Sequence, residues 1–173
     1  FETGLMVYGH RQKGDCNDIE MVVPVGPHNA AAMKAKIQSI SPKGMTPLSE
    51  SVRLAALALR YTEQRATVIL VSDGLETCDK DPCAVAAELA MSGVNFTVHV
   101  IGFNISKEDQ GRLRCLADRT GGLFLSADNA GEIDAAHRQF GGNGARILVT
   151  GLQTVADKND GRPLFGITQG NGR

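Results

Sequence analysis

The chain has 173 residues, 42% of them hydrophobic and 21% charged, with a formal net charge of −1. That size and balance describe one folded domain with a real core, and they exclude a disordered segment, a membrane span of roughly 20 apolar residues and a basic nucleic-acid surface. The first residue is Phe1 rather than methionine, so the sequence reads as an excerpt or processed product, and a missing targeting signal carries no weight.

Two short apolar runs open the chain, Leu5 to Gly9 and Ile19 to Val25, joined by the polar stretch His10 to Asp18. A link that short cannot hold a crossover helix, so the runs pair as an antiparallel hairpin, with one reversed strand at a sheet edge. Ala30 to Ile40 follows as a helix with an apolar stripe at Ala30, Met33, Ile37 and Ile40, broken by Pro42 and Gly44. A second helix begins with Thr46 as N-cap and Pro47 at the first helical position, and runs to Tyr61.

The stretch from Thr67 to Gly74, Thr-Val-Ile-Leu-Val-Ser-Asp-Gly, is apolar without alternation until its last residues. It reads as a strand buried on both faces, as in a parallel sheet covered by helices. Asp73 then lies at the carboxyl end of that strand, the edge where open α/β sheets bind ligands. The alternative is a plain turn at Ser72-Asp73-Gly74.

Four cysteines are present, and Cys78 and Cys83 bracket a short polar loop right after this strand. A disulfide between them would contribute about 2 kcal/mol by chain entropy and would imply an oxidising compartment. Reduced thiols remain an alternative. So does a four-cysteine zinc site, although Cys16 and Cys115 lie far apart and only one close pair exists.

Pro82 starts a helix ending at Gly93, Phe96 to Phe103 form a strand, and Ser106 with Asp109 makes a near capping box for a helix to Arg119 or Thr120. His99, alone inside its strand, reads as a hydrogen-bonded core residue rather than a ligand. Leu123 to Ser126 form a last short strand of the alternation and Glu132 to Phe140 a last helix. Strand and helix alternating in this way predict an α/β, doubly wound, mostly parallel sheet with one antiparallel edge strand.

The domain therefore spans residues 1–140, a glycine-rich linker 141–145 follows, and residues 146–173 make a β-rich tail. In that tail Arg146 to Thr150 and Leu164 to Thr168 read as strands. The acidic turn at 157–161 lacks the spacing of a calcium loop. Two glycosylation sequons, at Asn95 and Asn104, are compatible with secretion.

Gly44-Met45-Thr46, a helix, and then Val71-Ser72-Asp73-Gly74, in a chain that opens with a hairpin, resemble the von Willebrand factor A (VWA) domain over residues 4–140. Tyr8-Gly9-His10-Arg11 and the Ser72 to Cys78 run look most similar to bacterial members. The resemblance implies a metal-ion-dependent adhesion site (MIDAS), with Thr46 matching the loop threonine and Asp73 the aspartate after the fourth strand. Magnesium, or manganese or calcium, would there accept a Glu or Asp side chain from a partner protein.

The family's Asp-x-Ser-x-Ser segment and its central first strand are missing from this sequence, so metal binding is expected to be weak or absent. The sheet order implied is 3-2-1-4-5-6, and its empty central slot would leave backbone groups unpaired, each costing about 1–3 kcal/mol. Arg146 to Thr150, donated within one molecule or exchanged between two, is the candidate filler.

Function follows as a non-catalytic protein-binding module outside the cytoplasm, periplasmic or secreted. The first alternative is binding at the same edge without metal. A nucleotide- or phosphate-handling enzyme is disfavoured, because no phosphate loop, dinucleotide fingerprint or nucleophile elbow follows any strand.

Overall fold

The computed structural model describes residues 2–60, 65–92, 96–127 and 146–151. These form six strands, β1 (Glu2–Tyr8), β2 (Ile19–Pro27), β3 (Ala66–Ser72), β4 (Phe96–Phe103), β5 (Phe124–Ala127) and β6 (Arg146–Thr150). The described helices are α1 (Ala30–Gln38), α2 (Leu48–Ala58), α3 (Pro82–Ser92) and α4 (Lys107–Asp118). One sheet holds all six strands in the order β2-β1-β6-β3-β4-β5. Only the β1–β2 pair is antiparallel.

The tail strand fills the central slot. Residues 146–150 of β6 pair in parallel with residues 2–6 of β1 on one side and residues 66–70 of β3 on the other. Arg-Ile-Leu-Val-Thr suits this place because it is β-branched or apolar at nearly every position, and a strand with neighbours and helices all round buries both of its faces. Ile147, Leu148, Val149 and Thr150 are all buried.

The two faces carry separate cores. Met33, Ile37 and Ile40, three of the four stripe positions expected around α1, pack on Leu5, Val7, Ile69, Val71, Ile147 and Val149. The opposite face meets α2, α3 and α4 through Leu48, Val52, Leu89, Leu113 and Leu116, packed on Met6, Tyr8, Val68, Leu70 and Leu148. Alternation along each strand divides its side chains between these cores.

Element ends differ modestly from expectation. β2 runs two residues further, α1 stops at Gln38, and α2 ends at Ala58 instead of Tyr61. The N-cap of α2 is Pro47 rather than Thr46, and no side-chain cap bond forms there. Ser106 does cap α4, accepting from Asp109 N–H at 3.1 Å and donating to its carboxylate at 2.8 Å. His99 accepts a hydrogen bond from Leu123 N–H at 3.1 Å but is half-buried rather than a core residue, and that partial burial holds its imidazole below the ordinary range. The expected helix Glu132 to Phe140, the linker 141–145 and the strand Leu164 to Thr168 lie outside the described residues.

The cysteines pair differently from the expected Cys78–Cys83 bridge. Cys16 bonds Cys78 and Cys83 bonds Cys115, with Cα separations of 5.8 and 5.4 Å. Cys78 meets the β1–β2 loop, while Cys83, at the second position of α3, meets α4. The two bridges close loops of 62 and 32 residues, so each contributes roughly 4 kcal/mol on the chain-entropy model.

The loop between β1 and β2 is folded around Asp18, which is 1% exposed. Its carboxylate accepts from Arg11 N–H at 2.6 Å, Gln12 N–H at 2.8 Å and the Arg11 guanidinium at 2.7 Å. Burial alone would push this carboxyl upward, but the backbone donors and the guanidinium outweigh it and hold Asp18 below its usual value.

Two tests follow. Leu148→Ala, in the centre of β6, is expected to cost about 2–5 kcal/mol in denaturant unfolding, whereas Leu57→Ala on the exposed face of α2 costs under about 0.5 kcal/mol; equal effects would place β6 outside the core. Because the folded carboxyl of Asp18 lies below its unfolded value near 3.8, its contribution is complete above that pH and is lost as pH falls through the folded value. Asp18→Asn should cost about 2 kcal/mol at pH 7 and flatten the acid limb of the stability curve.

Candidate functional site

Strands β1, β6 and β3 run parallel, so their carboxyl ends reach the same edge of the sheet. The residues there are Tyr8, Thr150 and Ser72. Asp73 follows Ser72 and is exposed, whereas Thr46, in the loop before α2, is 7% exposed. Thr46 is joined to the loop that follows Asp73 through Thr77.

The rim is tied together by hydrogen bonds between loops. Thr46 N–H donates to Thr77 Oγ1 at 2.7 Å and Thr77 N–H returns a bond to the Thr46 carbonyl at 3.2 Å. Lys43 and Gly44 N–H both donate to the Gly9 carbonyl, at 2.8 and 3.0 Å. Gly44 approaches the β1–β2 loop so closely that a Cβ there would lie 2.5 Å from the Gln12 carbonyl oxygen. Three loops thus meet at Thr46, and the Cys16–Cys78 bridge pins the first to the third.

Beneath Asp73 lies a buried polar ladder. Tyr8 OH donates to Ser72 Oγ at 3.3 Å, Ser72 Oγ donates to the Gly74 carbonyl at 2.9 Å, and Gly74 N–H donates to Ser72 Oγ at 3.3 Å. Burial drives the Tyr8 phenol far above its ordinary range; the bond from Ser72 opposes this, and the negative charges of Asp73 and Glu76 add to it. Tyr8 is therefore a neutral, permanent donor.

Glu76 is a residue that sequence reasoning missed. Its carboxylate accepts from Ser49 N–H at 2.8 Å and from Cys78 N–H at 2.8 Å. Ser49 is the second residue of α2, so an acid from another loop satisfies one of that helix's open N–H groups and meets the positive end of its dipole. No local spacing signals such a cap, because acceptor and helix are 27 residues apart.

Two buried hydroxyls at this edge have no hydrogen-bond partner, Ser49 Oγ and Thr150 Oγ1. Both residues are fully buried. Thr150 shares its face with Leu148, two residues earlier, and therefore looks toward the α2 side of the sheet. The available oxygens suit a hard cation in type, but among the described residues no group of three or more His, Cys, Asp or Glu side chains could hold a metal ion. A four-cysteine zinc site does not form, since all four cysteines are in disulfides.

No protein-family model matches the chain. It is 27% identical over 146 residues to Uncharacterized protein YwmD of Bacillus subtilis (strain 168), and 28% identical over 126 residues to Uncharacterized protein YwmC of the same organism. These alignments cover 78% and 72% of this chain but 65% and 55% of the relatives, so the chain spans less than two thirds of either one's length. Among solved structures, the SpRpn10 VWA domain matches with a TM-score of 0.56 at 16% identity, over 73% of this chain and 64% of that one. BatB from Bacteroides thetaiotaomicron matches with a TM-score of 0.55 at 20% identity, over 80% and 76%. Together with the strand order, these likenesses give the chain a VWA-like α/β fold.

Proposed function

We propose that the carboxyl edge of the sheet binds a partner protein, with Asp73 and Thr46 at the centre of the contact. The observation that carries this reading is an exposed carboxylate ending a fully buried strand, on a rim whose three loops are fixed to one another before any partner arrives. Fixed recognition groups bind with less ordering cost than mobile ones.

A divalent cation, Mg2+ or else Mn2+ or Ca2+, would be held by the Asp73 carboxylate and the Thr46 hydroxyl. The unpartnered hydroxyls of Ser49 and Thr150 supply further neutral oxygen at the same edge. When bound, such an ion would present positive charge to a Glu or Asp side chain of the partner. Glu76 adds little to that set, because its oxygens already accept from Ser49 and Cys78. With one carboxylate in the set, the ion would be weakly held.

That same shortage supports a second reading, in which the edge binds its partner by shape and hydrogen bonds without metal. Nothing in the arrangement supplies an activated nucleophile, and we assign no catalysis. Two disulfides fit a protein outside the cytoplasm, periplasmic or secreted. No helix among the described residues is long and apolar enough to cross a membrane. With β6 in the slot of the family's first strand, exchange of that strand between two molecules belongs to the same proposal.

Calorimetric titration of the 173-residue chain with Mg2+ is expected to give a Kd of about 0.1–1 mM or weaker. Asp73→Ala should remove whatever heat is seen. Micromolar affinity, or heat unchanged by that substitution, would overturn the assignment of Asp73. Partner capture lost on chelation selects the metal-bridged form, and capture that survives chelation but fails with Asp73→Ala selects the metal-independent one.

A further inference from the structure

The Cys16–Cys78 bridge lines a cavity of about 320 Å3 together with Asn17, Pro47, Glu50, Arg53, Glu76 and Lys80. Cys83–Cys115 lies elsewhere, between α3 and α4. Lys80 and Arg53 both pair with Glu50, Lys80 Nζ at 3.3 Å from its carboxylate, and Arg53 holds the Glu50 carboxyl below its ordinary range. Lys80 keeps half of its side chain in solvent. A disulfide facing a cavity of this size is within reach of a small nucleophile, and Lys80 and Arg53 offset the Glu50 and Glu76 carboxylates on the wall where a sulfur would leave as thiolate.

We propose that Cys16–Cys78 is a thiol-exchange site that a small-molecule thiol opens in the folded protein, loosening the binding rim. A thiolate attacks one sulfur, the S–S bond breaks, and the other cysteine leaves as a thiolate into the cavity whose wall Lys80 and Arg53 share with Glu50 and Glu76. A second thiol then attacks the mixed disulfide, releasing the oxidised thiol dimer. Two electrons pass from two thiols to the bridge, and the cysteines take up two protons.

The consequence for the rim is geometric. Cys78 N–H is held by Glu76, whose other oxygen caps α2 at Ser49, and Thr77 is bonded both ways to Thr46. Opening the bridge frees this segment from the β1–β2 loop while leaving α3 tied to α4. This part rests on the reading of the edge as a binding surface; the exchange chemistry does not.

The test is differential alkylation with peptide mass spectrometry on the full oxidised chain, incubated with glutathione, with β-mercaptoethanol or with thioredoxin under native conditions. Cys16 and Cys78 are expected to label at least tenfold faster than Cys83 and Cys115 with both small thiols. Lys80→Met should slow labelling of the first pair several-fold and leave the second unchanged, the second bridge serving as internal control. Amide exchange at Thr46, Ser49 and Cys78 should rise after selective opening.

Equal labelling of both bridges, or opening only in denaturant, would overturn the proposal. So would a Lys80→Met effect shared by both pairs. Opening by thioredoxin alone would overturn the assignment to a small thiol. If labelling follows expectation but partner capture is unaffected by opening, the exchange site stands and the reading of the rim fails.

Discussion

The structure depends on one seat, the gap between β1 and β3. Without an occupant, each of these strands would carry a row of buried amide and carbonyl groups with nothing to pair, at about 1–3 kcal/mol apiece. Five residues of β6 answer both rows at once, in register with Glu2 to Met6 and with Ala66 to Leu70. The two apolar cores also need it, since Ile147 and Val149 contribute to one and Leu148 to the other.

The shortness of β6 shapes what lies above it. Its ladder stops at Thr150, two residues before the ends of β1 and β3. Tyr8 and Ser72 are therefore separated by a strand that ends beneath them, and only a side chain as long as tyrosine can cross the gap to hydrogen-bond Ser72. Gly151 has a φ of +111° and passes so near Val71 that a Cβ would meet its carbonyl oxygen at 2.0 Å. Glycine is required there on both counts. The turn carrying Asp73 thus owes its support to a strand that arrives last in sequence.

Much of this was legible from residue patterns because each pattern had a local cause. The unbroken apolar run of β3, the short link of the hairpin, the stripe of α1 and the Ser106 cap all depend on residues a few positions apart. The place of β6 was legible only as one candidate, since a vacant central slot demands a filler and Arg146 to Thr150 was an apolar tail segment able to supply it. What the sequence hid was pairing at a distance. Cys78 stands close to Cys83, yet the two bridges span 62 and 32 residues, and proximity along a chain says little about side chains facing different elements. Glu76 was missed for the same reason, as its partner helix begins 27 residues earlier.

Charge decides what kind of partner the edge can accept. Asp73, Glu76, Asp79 and Asp81 stand along the loop after β3, against Lys80 alone of the opposite sign, and Lys80 is engaged with Glu50. Left as it is, this loop repels acidic side chains and attracts basic ones, since like charges brought together across an interface oppose association. A bound divalent cation reverses the sign at its centre. An acidic partner group therefore requires the ion, and a basic one makes it unnecessary. On the proposed reading, the two modes of binding at this edge would be distinguished by the charge of the partner they admit, and a cradle with a single carboxylate at Asp73 would leave both open to the same fold.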